Sequence, residues 1–125
     1  VMIQRKGKHS PWVITGWVAK LAGPGFVVTN VARSRGKVLP LGTAIKKSNI
    51  AANTNLLGEI RQVSMAVAKR LGTAYPTLRE IGLDMGIDIH GKPWIIEANF
   101  RPSLSLFQQL QDQTFYRRIL AMRKR

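Results

Sequence analysis

The chain has 125 residues, 45% of them hydrophobic, with 20 Lys and Arg against 6 Asp and Glu and no cysteine. Such a length supports one domain of modest core; the composition excludes a disordered chain, a disulfide framework and any cysteine-ligated metal site. No apolar run approaches the roughly 20 residues of a membrane-spanning helix.

From the start, Val1–Arg5 reads as a strand, and the Val at position 1 reads as a chain cut from something longer. Lys6–Pro11 is a basic turn. Trp12–Leu21, rich in Val, Ile, Trp and Thr, predicts a second strand. Gly23-Pro24-Gly25 breaks it, and Phe26–Val31 predicts a third, giving a meander. Ala32–Leu41 is a basic loop, and Thr43–Asn53 is weakly helical. A clear helix is predicted over about Asn55–Leu71, with Leu56, Ile60, Val63, Val67 and Leu71 at spacings of 3 and 4, and Gly72 expected as its left-handed cap. Ile81–Asp88 and Pro93–Asn99 are two strands around a tight turn. A last helix, about Leu106–Met122, would bury Leu106, Leu110, Phe115, Ile119 and Met122. Strands at the front and near residue 90, with a helix between, predict an α+β fold: one domain, an antiparallel sheet packed with helices.

The formal charge of +14 favours a polyanion such as nucleic acid, anionic lipid or nucleotide phosphate. An acidic remainder of a longer chain would balance the same charge. His9 and His90 are the only histidines, too few for a histidine-based zinc site. The absence of cysteine and of a signal-peptide pattern fits a cytoplasmic chain.

The predicted hairpin carries the chemistry. At period two, Ile81, Leu83, Met85 and Ile87 share one face, and Gly82, Asp84, Gly86 and Asp88 the other. A two-residue turn at His90-Gly91 sets Ile87 opposite Trp94, Met85 opposite Ile96, Leu83 opposite Ala98, Asp84 opposite Glu97 and Gly82 opposite Asn99. Trp94, Ile96 and Ala98 then join the buried face. Two carboxylates at about 5 Å and an effective dielectric of 20 repel by roughly 3 kcal/mol. A shared proton, a basic side chain or a bound cation would relieve them. With Asn99 the face offers three hard oxygens, which suit Mg²⁺ or Mn²⁺ with phosphate oxygens and water completing the shell. Gly82 and Gly86 leave room beside Asp84 for a bulky group such as a triphosphate. A merely solvated polar face is the ordinary alternative.

Glu97-Ala98-Asn99, after an apolar run and before Pro102, with Asp84 thirteen residues upstream, resembles the E-x-N signature of ATP-grasp enzymes. The closer resemblance is to the YheC/YheD group of endospore coat-associated ATP-grasp proteins. It is carried by Trp12–Gly25, by Val28-Thr29-Asn30-Val31, by Ile81–Asp88 and by Trp94–Asn99. The resemblance implies the C-terminal part of an ATP-grasp fold, with Mg²⁺ (or Mn²⁺) and ATP as cofactors and a carboxylate substrate activated as an acyl phosphate for attack by an amine. By position it implies metal binding by Asp84, Glu97 and Asn99, and phosphate or reacting-group contacts from Lys20, Asn30 and Arg101. Lys20 stands where an Arg is commoner and keeps the charge without the bidentate fork. Arg33-Ser34-Arg35-Gly36 replaces the paired glycine usual in the following loop. The front half of such a fold, with its adenine clamp, is missing, so this chain alone is expected to bind metal and phosphate without turnover. The competing expectations are a degenerate enzyme and a basic interaction module of the spore coat or of nucleic acid. Base stacking has little support, since Trp12 and Trp94 occupy core-like positions.

Overall fold

The computed structural model describes residues 1–21, 27–28, 37–47 and 55–124. Among the described residues seven strands form one sheet: β1 (Met2–Gln4), β2 (Val13–Gly16), β3 (Ala19–Leu21), β4 (Val27–Val28), β5 (Lys37–Leu39), β6 (Glu80–Ile87) and β7 (Pro93–Asn99). Every pairing is antiparallel. Four helices complete the described residues: α1 (Leu41–Lys47), α2 (Leu56–Ala74), α3 (Ser105–Gln109) and α4 (Thr114–Arg123). This is the expected α+β class with an antiparallel sheet.

β6 organises the sheet. One of its edges pairs with β7 along nearly its whole length. The other edge is shared, β1 lying against Glu80–Gly82 and β4 against Gly86–Ile87. β2 flanks β1, and β3 flanks β4. The single strand expected over Trp12–Leu21 is therefore two, interrupted at Trp17-Val18, because its two ends serve different neighbours.

The alternation in β6 sorts the core. Ile81, Leu83, Met85 and Ile87 are buried against α1 and α2 with Ile3, Leu56, Ile60 and Ala68. On the opposite face Met2, Val18, Phe107, Leu110 and Ile119 form a second cluster under α3 and α4. Gly16 permits that close approach, since a Cβ there would lie 2.8 Å from the Phe107 ring. α4 packs over β1 and β2.

Three expectations about the helices need correcting. Gly72 is not a cap: it lies inside α2, buried, where a Cβ would come within 2.7 Å of Trp12 Nε1. Its φ is not positive, and Gly91 is the single described residue in the left-handed region. The carboxyl end of α2 is instead held by Arg5, whose Nη2 donates to Gly72 O, Tyr75 O and Pro76 O at 3.2, 3.4 and 3.2 Å. Cationic donors satisfy the last carbonyls of a helix in this way. Finally, the helix expected over Leu106–Met122 is broken at Leu110–Gln113, and its buried residues are Phe107, Leu110 and Ile119. Gln113 Nε2 donates to Gln108 O at 3.2 Å across the break, and Asp112 Oδ1 accepts from the Thr114 N–H at 2.9 Å to begin α4.

Candidate functional site

Asp84 stands opposite Glu97, Leu83 opposite Ala98 and Gly82 opposite Asn99, the pairing expected from the sequence, but it is reached by a different route. The turn has three residues, Ile89-His90-Gly91, closed by hydrogen bonds from Asp88 N to Lys92 O and from Gly91 N to Asp88 O, both 3.0 Å. Gly91 has φ 76°, as three-residue hairpin loops require at their last position. An odd loop shifts the ladder by one: Ile87 pairs with Pro93, Gly86 with Trp94 and Met85 with Ile95. A β-bulge at Ile96 then restores the count before Glu97.

The shift exchanges faces. Trp94, opposite Gly86, lies on the face of Asp84, and the Ile96 side chain covers Gly86 from that face, 3.4 Å from where a Cβ would stand. Trp94 and Ile96 are 54% and 53% exposed. They are not core, as their alternation had implied, but an apolar shelf beside the carboxylates.

Asp88 fixes the shelf. Its carboxylate accepts from the backbone N–H of His90 and of Lys92, each at 2.9 Å, and from Trp94 Nε1 at 2.8 Å, while Lys92 Nζ lies 4.4 Å from the indole centre. The Trp94 hydrogen bond, then that from Lys92, holds the Asp88 carboxyl below its ordinary 3.8. A depressed carboxyl contributes its stabilisation above the unfolded value and loses it as pH falls through the folded one. The Trp94 indole N–H resonance is therefore expected to titrate with a midpoint below 3.8 in an NMR pH series, and to be silent in Asp88→Asn.

Four of the six carboxylates, Glu80, Asp84, Asp88 and Glu97, occupy one face of this hairpin. Asp84 is half-buried, and Glu97 and Asn99 are exposed. Asn99 Oδ1 accepts from the Arg101 backbone N–H at 2.9 Å, which fixes the amide and leaves its oxygen a second lone pair. Two carboxylates and one oriented amide are a hard-oxygen donor set on an open face and fit Mg²⁺ or Mn²⁺. No group of three or more His, Cys, Asp and Glu side chains clusters among the described residues, so the rest of such a shell would come from ligand and water.

Lys20 belongs to the same face. It pairs with Val28, and Val28 pairs with Gly86, which sets the Lys20 and Gly86 backbones about 10 Å apart across two strand spacings. Lys20 is fully buried. The room expected at Gly82 is filled by Pro102, whose Cβ lies 2.5 Å from the position a Cβ would take; the room at Gly86 is roofed by Ile96. Arg101 lies past Pro102 and lines a neighbouring cleft with Arg5, Arg79, Glu80 and Arg123. Sequence reasoning missed this cleft, although Arg79-Glu80 directly before an apolar alternation was a signal for charge at a strand entrance. Asn30 and the Arg33–Gly36 loop lie outside the described residues.

A family model described as YheC/D like ATP-grasp matches residues 1–123. The chain belongs to that family. Among curated proteins, the YheC/D-like chain is 30% identical over 104 residues to "Endospore coat-associated protein YheD" of Bacillus subtilis (strain 168), a match covering 82% of this chain and 22% of that protein. It thus spans about a fifth of the length of its curated relative. No solved structure matches it significantly. This YheC/D-like ATP-grasp chain carries Glu97 and Asn99 on the strand that faces Asp84. No helix among the described residues is long and apolar enough to cross a membrane.

Proposed function

We propose that this chain is the metal-holding portion of a larger ATP-grasp unit, binding Mg²⁺ (or Mn²⁺) and the phosphates of ATP through Asp84, Glu97 and Asn99. The observation that carries the reading is the placement of Asp84 directly opposite Glu97, with Asn99 one pair away, on an open face of the sheet. Carboxylates so close repel, and a divalent ion is what this donor set accommodates.

Each residue then has a role. Asp84 and Glu97 supply charge, and Asn99 a neutral oxygen. Lys20, buried on the same face, offsets phosphate charge, and Asn30 is assigned a phosphate contact by its place in the family's motif. Trp94 and Ile96 offer an apolar surface on which the base can lie, with Gly86 covered beneath Ile96. Gly82 serves by admitting Pro102, which anchors the loop after Asn99. When bound, the ion neutralises charge developing on transferred phosphoryl oxygens. The parent reaction is carboxylate–amine ligation of an unidentified acid, and the relative's name extends the proposal to association with the endospore coat.

The test is calorimetric titration of the intact protein with Mn²⁺·ADP. Glu97→Gln removes one ligand charge and is expected to weaken binding by about 100-fold or more. Undiminished affinity in Glu97→Gln would remove the pair from the site. The +14 charge supports a second reading, a basic module for a polyanion. It requires binding that falls steeply with salt and is indifferent to Glu97→Gln.

A further inference from the structure

At the end of the sheet away from the hairpin turn, a cleft of about 710 Å³ opens between the end of β1, the α2–β6 connection, the loop after β7 and the end of α4. A volume in this range suits a small molecule. Four arginines, Arg5, Arg79, Arg101 and Arg123, line it against one carboxylate, Glu80, and leave three positive charges in excess.

The four are not equivalent. Arg5 is committed to backbone carbonyls. Arg123 grips Glu80 with both arms of its fork, Nε to Oε2 at 2.9 Å and Nη2 to Oε1 at 2.8 Å, and Gln4 Nε2 adds a contact to Oε2 at 3.2 Å. Among the described residues the Arg79 guanidinium donates through Nη1 alone, to Pro76 O at 3.0 Å and Leu78 O at 3.1 Å; its Nε is buried with no acceptor among them. Arg101 is exposed, and its guanidinium has no carboxylate partner among the described residues. Two guanidinium groups on different loops thus face one concavity with their charge unneutralised, while the Glu80–Arg123 pair stiffens its wall.

From this we infer that the cleft is a second anion site, taking a phosphate monoester between Arg79 and Arg101, separate from the metal-holding carboxylates. A phosphate dianion has three oxygens to engage both guanidinium groups at once and offsets two of the three excess charges. A monocarboxylate offsets one and fills one fork. Pro102, packed on Gly82, is the partition between this cleft and the Asp84–Glu97 pair. The inference does not rest on the ATP reading, because no residue of the metal set takes part.

The probes are phenyl phosphate and inorganic phosphate, titrated calorimetrically into the intact protein without divalent metal, with benzoate as the carboxylate control. Phenyl phosphate is expected to bind saturably and more tightly than benzoate. Arg101→Gln, on an exposed loop where folding is not at stake, and Arg79→Gln should each weaken it by about tenfold or more. Glu97→Gln should leave it unchanged. Inorganic phosphate binding as tightly as the ester would identify free phosphate as the source and support the same oxyanion chemistry. No saturable phosphate binding, an affinity indifferent to both arginine variants, or a loss in Glu97→Gln would overturn the site. Benzoate binding as tightly as phenyl phosphate, or binding confined to acidic peptides, would overturn the phosphate class.

Discussion

Arg5→Met is expected to destabilise the fold by about 3 kcal/mol, lowering the thermal midpoint of the 125-residue chain by roughly 10 °C. Arg5 is 6% exposed, although it sits just past the end of the three-residue strand β1. Its side chain joins the turn after β1 to the end of α2 and the approach to β6. Nη1 reaches Lys8 O in the β1–β2 turn at 3.0 Å, Nη2 holds the carboxyl end of α2, and Nε reaches Leu78 O at 2.8 Å before β6. The guanidinium also lies 4.5 Å from the centre of the Trp12 ring. Methionine keeps the apolar stem and removes every donor, so buried carbonyls lose partners that water cannot fully replace. Thermal unfolding followed by circular dichroism at 222 nm measures the effect. A fall of under about 3 °C would show that the helix end is satisfied without Arg5.

Gly82→Ala is expected to cost about 1–3 kcal/mol in stability and to weaken Mn²⁺·ADP binding by roughly tenfold or more, although alanine removes no donor. The added methyl would stand 2.5 Å from Pro102 Cβ and 3.3 Å from its Cγ. A proline ring has no rotamer into which it can retreat, so the loop must move. That loop begins at Asn99, whose Oδ1 is fixed by the Arg101 N–H, and displacing it swings one of the three proposed metal donors. Gly86→Ala is the control: its methyl meets only the flexible tip of Ile96 at 3.4 Å, an ordinary contact. Calorimetry on both variants separates the outcomes. Equal affinities in Gly82→Ala and Gly86→Ala would mean that the Pro102 contact does not position Asn99.

The features legible in the sequence were those decided by local periodicity. Leu56 and Ile60 at spacing four announced α2, and the alternation of Ile81, Leu83, Met85 and Ile87 announced the buried face of β6. Asp84 opposite Glu97 followed from counting. Features decided by neighbours were hidden. Trp94 and Ile96 carry the composition of a core strand, yet among the described residues β7 pairs only with β6, and the odd loop and the bulge at Ile96 together set both residues on the face of Asp84. Gly72 stands where a helix cap would, but Trp12 and Arg5, sixty residues away, require a glycine inside the helix. The break at Leu110–Gln113 depends on side-chain to backbone hydrogen bonds that a 3-and-4 pattern does not register. The arginine cleft joins residues from four segments, and no spacing along the chain connects them.

The odd loop and the bulge of the hairpin are one residue's worth of slack held at opposite ends of four pairs. The same chain could carry that slack at the turn, as a two-residue loop with an unbulged ladder, and Asp84 would still meet Glu97. Only the tip would slide: Trp94 and Ile96 would rotate through to the α2 side, and Asp88 would lose the indole. The Asp84–Glu97 pairing is thus geared independently of the hairpin tip, and the hydrogen bond between Asp88 and Trp94 belongs to the tip as it is wound here.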